Sequence, residues 1–319
     1  MSASATQTAH WGEHSHWTWQ GFRCHWRVLG PGHGPAIVLL HGFGASSAHW
    51  RRLAPLLASR DFQVYALDLI GFGDSDQPRW NRQRPLDNRL WGRQTVAFLR
   101  EVVGRPAVLV GNSLGGLTAL TAAVLCPELV QALVAAPLPD PALLRPVPKR
   151  RSPIQRQLER RLIPLVMRLL PLELLLFLII RTPLLRSGLQ GAYRKPVHDD
   201  RELLQLIAKP ARRRTAAQAL RAMSIGMALR PRGATAPELL NLLAGRRSLL
   251  LLWGSEDRFV PVSIGVDLAR RYPWIHLDVI DQSGHCPHDE TTETFLSGML
   301  LWLDRNLGES SPAETGQRR

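Results

Sequence analysis

The stretch VLVGNSLGGLTAL, residues 108–120, sets a serine between glycines where one apolar run gives way to another. Its core, Gly111-Asn112-Ser113-Leu114-Gly115, spells G-x-S-x-G. The run before it, PAVLVGNS, is short and β-branched and reads as a strand; residues 114–126 are rich in small side chains and read as a helix. A serine on such a sharp strand-to-helix turn is lifted above the sheet edge, and the turn crowds the neighbouring backbone. The residues two before and two after it must then be small, as Gly111 and Gly115 are. The motif carries meaning only in that context, which the flanking runs supply.

The same rhythm extends outward. AIVLL (36–40), FQVYALDLIG (62–71), VQALVAAP (130–137), SLLLLWGSED (248–257) and IHLDVID (275–281) are apolar runs of strand length. Helical patterns separate them: after HGFGAS through Leu57, at 88–104, at 262–271 and at 291–306. Residues 16–28 read as a hairpin around Gly21, and GPGHGP (30–35) as a turn cluster without phosphate-loop spacing. Continuous apolar strands alternating with helices predict an α/β fold, a mostly parallel sheet with helices on both faces. Residues 138–240 break the alternation and read as a helical lid inserted between two strands. The expected organisation is a flexible tail at 1–15, a core at 16–137 and 241–307, the lid at 138–240 and a disordered tail at 308–319.

The chain has 319 residues and is 45% hydrophobic, enough for a sizeable core. Cys24, Cys126 and Cys286 are too few and too odd for a disulfide framework, so a reducing compartment is expected. The start, MSASATQTAHWGEHSHW, has no apolar core of a signal peptide. His10, His14 and His16 lie in it, but nothing nearby completes a ligand set, and no metal is expected. The net charge of +14 is uneven. Residues 145–233 hold 20 Lys and Arg against 5 Asp and Glu, and the remainder 20 against 21. The insert thus carries the whole excess, and a local basic field calls for an anionic partner surface. Its apolar run LIPLVMRLLPLELLLFLII (162–180) is interrupted by Arg168, Glu173, Pro164 and Pro171, which argues against a span. The expectation is a lid over the site mouth, with basic clusters at 149–151, 159–161 and 212–214 against anionic headgroups. Nucleic acid is not expected, because Phe177 and Tyr193 are the insert's only aromatics.

A serine set this way needs a base and an acid, and in folds of this rhythm they follow in the order serine, acid, histidine. Asp257 ends one late strand and His285 follows the next, in DQSGHCPHDE. His285 is placed to take the Ser113 proton, and Asp257 to hold the imidazole tautomer. Gly42 permits a close turn after the AIVLL strand, so that the N–H groups of Phe43 and Leu114 pair as an oxyanion hole. His41 and Asn112 stand beside these loops as supports. Glu256, Asp281 and His288 are the competing candidates: Glu256 adjoins Asp257, whose place four residues before Pro261 is similar to that of the acid in the α/β-hydrolase superfamily, Asp281 reads as a strand-end residue, and His288 is expected on the surface. Cys286 reads as a buried small hydrophobe. No H-E-x-x-H, Walker A or CxxC motif competes.

The series HGFG, GNSLGG, WGSEDRFVP, SGHCPHDE resembles the α/β-hydrolase superfamily over about residues 17–306. Within it, HGFGASSAHW, ALDLIGFGDSD, GNSLGG and above all GHCPHDE resemble cyanobacterial and plastid hydrolases of the chlorophyll-dephytylase and pheophytinase type. That resemblance implies a serine hydrolase without cofactor or metal, acting on a lipophilic carboxylic ester such as the phytyl ester of chlorophyll or pheophytin. It implies a cytoplasmic location, peripheral on an internal, thylakoid-type membrane. Its triad falls on Ser113, Asp257 and His285, its oxyanion positions on Phe43 and Leu114. The alternatives are a carbon–carbon bond hydrolase of dienone acids and a non-catalytic hydrolase-fold protein at a membrane. The dienone-acid enzymes resembled carry tryptophan after the catalytic histidine, where this chain has Cys286.

Overall fold

Strands that are apolar on both faces must be covered on both faces. The computed structural model describes residues 11–143 and 152–307 and meets that demand with one eight-stranded sheet. In chain order the strands are β1 (Glu13–Trp19), β2 (Phe22–Leu29), β3 (Ala36–Leu40), β4 (Gln63–Leu67), β5 (Ala107–Asn112), β6 (Val130–Ala136), β7 (Leu249–Gly254) and β8 (Ile275–Ile280). Their order across the sheet is β1-β2-β4-β3-β5-β6-β7-β8. The first two pairings are antiparallel, and all from β4 to β8 are parallel.

Alternate residues of a strand point to opposite faces. On β3, Ile37 and Leu39 join Leu53 of α1 (Leu53–Ala58) and Phe295 and Met299 of α12 (Thr292–Leu307). Val38 and Leu40 join the other face, with Trp91 of α2 (Asn88–Phe98), Leu117 of α3 (Leu114–Leu125), Leu240 of α9 (Ala236–Leu243) and Leu268 of α10 (Val262–Arg271). Each such fully buried aliphatic side chain contributes about 1.5–3 kcal/mol. The two cores hold the central strands rigidly, and the loops at their C-terminal ends carry the candidate site.

The sequence expectations need adjusting at several edges. β1 begins at Glu13 and Trp11 is buried, with its carbonyl accepting from Arg27 and its ring under the Arg27 guanidinium. Residues 11–15 therefore belong to the core unit and not to a loose tail. The rest of the expected tails, 1–10 and 308–319, lies outside the described residues, as does the basic cluster 149–151. The strand expected over 62–71 stops at Leu67, because the Asp68 carboxylate draws in the backbone N–H groups of Ser47 and Asp74 and the ring of His25.

Between β6 and β7 lie α4 (Pro153–Leu169), α5 (Leu172–Arg181), α6 (Leu184–Ala192), α7 (Arg201–Ala211) and α8 (Ala216–Leu229). α4 opens on a capping box between Ser152 and Gln155. The neck of this segment is closed by Asp140, which accepts from Arg230 at 2.6 Å and from the Ala236 N–H at 2.7 Å. α9 starts inside the expected lid but packs on α3, so the insertion returns to the core before residue 240. The inner helices are sewn to loop 73–86. Gln77 bonds Pro210, Thr215 and Gln218, and Arg213 donates to the carbonyls of Gly73 and Ser75. α4 and α5 form an outer layer against α8.

Candidate active site

Ser113 sits between β5 and α3 at φ +52, ψ −115, a conformation that strains any residue with a Cβ. Two backbone approaches enforce it. A Cβ on Gly111 would overlap the Gly115 carbonyl, and one on Gly115 would overlap the Leu40 carbonyl. The Ser113 N–H donates to Ala136 at 3.1 Å, while its carbonyl accepts from Gly116 and Leu117 in the first turn of α3. Strand and helix are thereby locked at a tight angle, with the half-buried serine at the apex.

The loops after β7 and β8 are bonded backbone to backbone: Ser255 N–H to the Ile280 carbonyl and Glu256 N–H to the Ser283 carbonyl, both at 2.9 Å. This juxtaposes Asp257 and His285, whose Oδ2 and Nδ1 lie 2.9 Å apart. The other Asp257 oxygen accepts from the N–H groups of Phe259 and Val260 at 2.8 and 2.9 Å, which fixes the carboxylate plane. Asn112, next to the serine, donates from Nδ2 to the His285 carbonyl at 3.1 Å. One side chain thus ties the serine turn to the histidine loop. Glu256 instead pairs with Arg194 at the surface, and Asp281 directly follows β8.

His41 is fully buried at the end of β3. Its Nε2 accepts from the Leu69 N–H at 3.1 Å, so its proton is on Nδ1, which donates to the Gly42 carbonyl at 2.8 Å. Burial lowers its pKa and favours this neutral form. Because a trans peptide points C=O and N–H in opposite directions, holding the Gly42 carbonyl turns the Phe43 N–H the other way. Gly42 lies against the serine turn, since a Cβ there would come within 2.6 Å of Asn112 Oδ1 and 3.4 Å of Ser113 Cβ. Leu114 opens α3, and its N–H lies in the first turn, which has no intrahelical acceptor.

The alpha/beta hydrolase family model matches residues 37–297, which run from β3 into the start of α12. The chain belongs to the alpha/beta hydrolase family. It is 32% identical over 149 residues to chloroplastic pheophytinase of Arabidopsis thaliana, covering 37% of this chain and 30% of that protein. It is 30% identical over 262 residues to the uncharacterized hydrolase YugF of Bacillus subtilis, covering 81% of this chain and 85% of that protein. The chain thus spans less than a third of the pheophytinase it matches. Among solved structures, a 2-hydroxy-6-oxo-6-phenylhexa-2,4-dienoate hydrolase from Rhodococcus superposes with a TM-score of 0.68 at 24% identity, over 92% of this chain and 98% of that one. That likeness is one of fold.

Around the histidine loop this alpha/beta hydrolase has a buried polar cluster that the sequence does not announce. Arg51 bonds Asp200, Glu202 and Asp289, which come from the insertion and from α11 (Pro287–Glu290). Tyr193 donates to Asp289 at 3.0 Å and accepts from His49 Nε2 at 2.7 Å. The His285 N–H donates to the Ala192 carbonyl at 2.8 Å, and Glu290 accepts from the N–H groups of Gly284 and Lys195. Cys286 is buried against Tyr193, as expected of a small hydrophobe. His288 is not on the surface: it is 1% exposed, packed on Trp50, His49 and Phe295, with neither ring nitrogen bonded among the described residues. His25, Asp68 and Asp74 bring ligand atoms within 4.8 Å of one another. Asp68 is already engaged there by His25 and two backbone N–H groups, and these bonds overcome burial to hold its carboxyl well below the carboxylate range.

The buried imidazoles set a pH dependence. Burial lowers His49 from 6.5 to about 4 and His288 well below 6.5. Below 6.5 the unfolded chain takes up protons that the folded one refuses. Stability is therefore full above 6.5 and falls with pH, by up to about 1.4 kcal/mol per pH unit for each imidazole. Asp200 and Asp289 are lowered from 3.8, so their contribution fades only below that. Urea unfolding between pH 7 and 4.5 should show the loss, and His288→Phe should make it shallower, leaving the His49 share; a level profile in the wild type would refute the assignment.

Proposed function

We propose that the chain hydrolyses lipophilic carboxylic esters through an acyl-enzyme on Ser113. The observation that carries this reading is the strained serine turn tied by Asn112 to a histidine whose Nδ1 faces a fixed carboxylate. In the proposed cycle Ser113 Oγ attacks the ester carbonyl and His285 takes its proton at Nε2. Asp257 holds Nδ1–H and stabilises the imidazolium. The oxyanion accepts from the Phe43 and Leu114 N–H groups, each worth about 100- to 1,000-fold in rate. The alcohol leaves with the proton from His285, and a water deprotonated by the same base releases the acid and restores the serine.

Two exposed aromatics flank the proposed site. Phe43 is 60% exposed on the oxyanion loop, and Phe259 is 55% exposed with its ring 5.3 Å from that of His285. Polar substrates gain little from such a mouth; a long acyl or prenyl chain gains by burying it. The similarity to a pheophytinase supports the narrower reading, a phytyl-type ester of a tetrapyrrole acid.

The test is a series of p-nitrophenyl esters from butyrate to palmitate in detergent, with chlorophyll and pheophytin assayed for free phytol. kcat/KM is expected to rise about tenfold or more along the series, given about 0.8 kcal/mol for each methylene fully buried. A steady fall along it, with no phytol released, defeats the lipophilic-ester reading. Faster turnover of a dienone acid than of any ester favours carbon–carbon hydrolysis.

A further inference from the structure

We infer that α4 and α5 form a docking face that seats the protein on an anionic lipid bilayer. Of the 20 large apolar side chains exposed among the described residues, 12 lie between residues 154 and 184. On α4, Ile154, Leu158, Leu162, Leu165 and Leu169 recur every three or four residues and make one stripe. The stripe faces solvent, at 78% exposure for Ile154 and 74% for Leu169. α4 packs on α8, and Ile163 and Met167 are half-buried. The helix is thus apolar on both sides, and among the described residues nothing covers its outer side. Apolar patches of this extent mark interaction surfaces.

The shape selects a surface-lying element. Among the described residues no single helix is long and apolar enough to cross a membrane, and α4 and α5 meet at a 50° bend. Arg221 of α8 braces that bend. It bonds both carboxylate oxygens of Glu173 at 3.0 and 3.1 Å and donates to the carbonyls of Met167 and Leu170. The bent pair is therefore held along α8 with its apolar stripe outward, as in an interfacial amphipathic element.

Charge selects the occupant. Residues 152–192 contain 6 Arg, 2 Glu and no Lys or Asp. Arg156, Arg160, Arg161 and Arg168 are exposed on α4 itself. Where α5, α6 and α7 meet, a pocket of about 340 Å³ is lined by Arg181, Arg186 and Arg212 together with apolar residues of those helices. A second copy of this face would set like charge against like. Anionic headgroups supply the opposite charge and acyl chains the apolar cover. The expected basic trio 212–214 contributes less than its sequence suggests, because Arg213 turns inward to Gly73 and Ser75.

Docking would bring the site to lipid-phase esters, a consequence that rests on the proposed function; the docking itself does not. Flotation with vesicles of phosphatidylcholine alone, and of phosphatidylcholine with phosphatidylglycerol, tests it. Wild type is expected to float with the mixed vesicles and to weaken as salt rises. Leu158→Gln/Leu162→Gln/Leu165→Gln should lower partitioning about tenfold or more, since each leucine loses an apolar environment. Arg160→Gln/Arg161→Gln should lower it about fivefold per arginine and only on the anionic vesicles. All these side chains are exposed, so folding and turnover of a short soluble ester should be unchanged. Wild type that stays out of both vesicles, a triple variant that floats equally well, or a wild-type dimer dispersed by the triple variant would each overturn the inference. Flotation without ester turnover would sink the ester-hydrolase reading alone.

Discussion

Ser113→Ala is expected to lower ester turnover by about a million-fold while leaving the protein folded, because the proposed nucleophile and base act as one unit. Alanine keeps the Cβ and therefore the strain of φ +52, so its unfolding free energy should match wild type. Ser113→Gly should be equally inactive yet more stable, by about 1–3 kcal/mol, since glycine adopts that backbone without strain. Measured together, the pair separates chemistry from folding: one variant loses only activity, the other loses activity and gains stability. His285→Ala should match the serine variants in rate, and Asp257→Asn should retain more activity. A serine-directed phosphonate should label Ser113 and none of these serine variants. Full turnover in Ser113→Ala would sink the assignment.

What made Ser113 legible is that its constraints are local. The glycines two residues either side answer to carbonyls that the strand-turn-helix itself brings close, and the apolar runs around them are period signals within a few residues. The strands were readable for the same reason, and Asp257 and His285 because each follows a strand end. The parts that were not legible depend on distant partners. Nothing in FQVYALDLIG says that Asp68 will leave the sheet, since its captured N–H groups come from Ser47 and Asp74 and its imidazole from His25. His288 reads as a surface residue because His285, directly after the glycine turn, already fills the place of the base; in the fold it is a buried ring among Trp50, His49 and Phe295. Arg213 reads as one of three surface arginines until loop 73–75 offers it two carbonyls.

Arg51→Met is expected to destabilise the protein by about 3–5 kcal/mol, the cost of breaking a buried ion pair by removing one partner. Arg51 is separated by 149 residues from Asp200 and by 238 from Asp289, so its bonds close very long loops. Its side chain is 1% exposed, as is that of Asp289. Burial would raise the Asp289 carboxyl, but His49 beside it and the charge and hydrogen bonds of Arg51 hold it below its ordinary range. Without the guanidinium, that carboxylate faces burial with the partly exposed Arg52 and with Tyr193 and His49 beside it. Urea unfolding should show the fall in midpoint. Adding Asp289→Asn should recover part of the loss, because the most deeply buried of the carboxylates that lose Arg51 is then neutral; additive losses would mean that the two side chains do not act on one another. The same substitution should also lower turnover per folded molecule. Asp289 lies four residues after His285, and Arg51 joins it to the Asp200 end of α7, so the histidine loop loses a brace on the side where the insertion meets it.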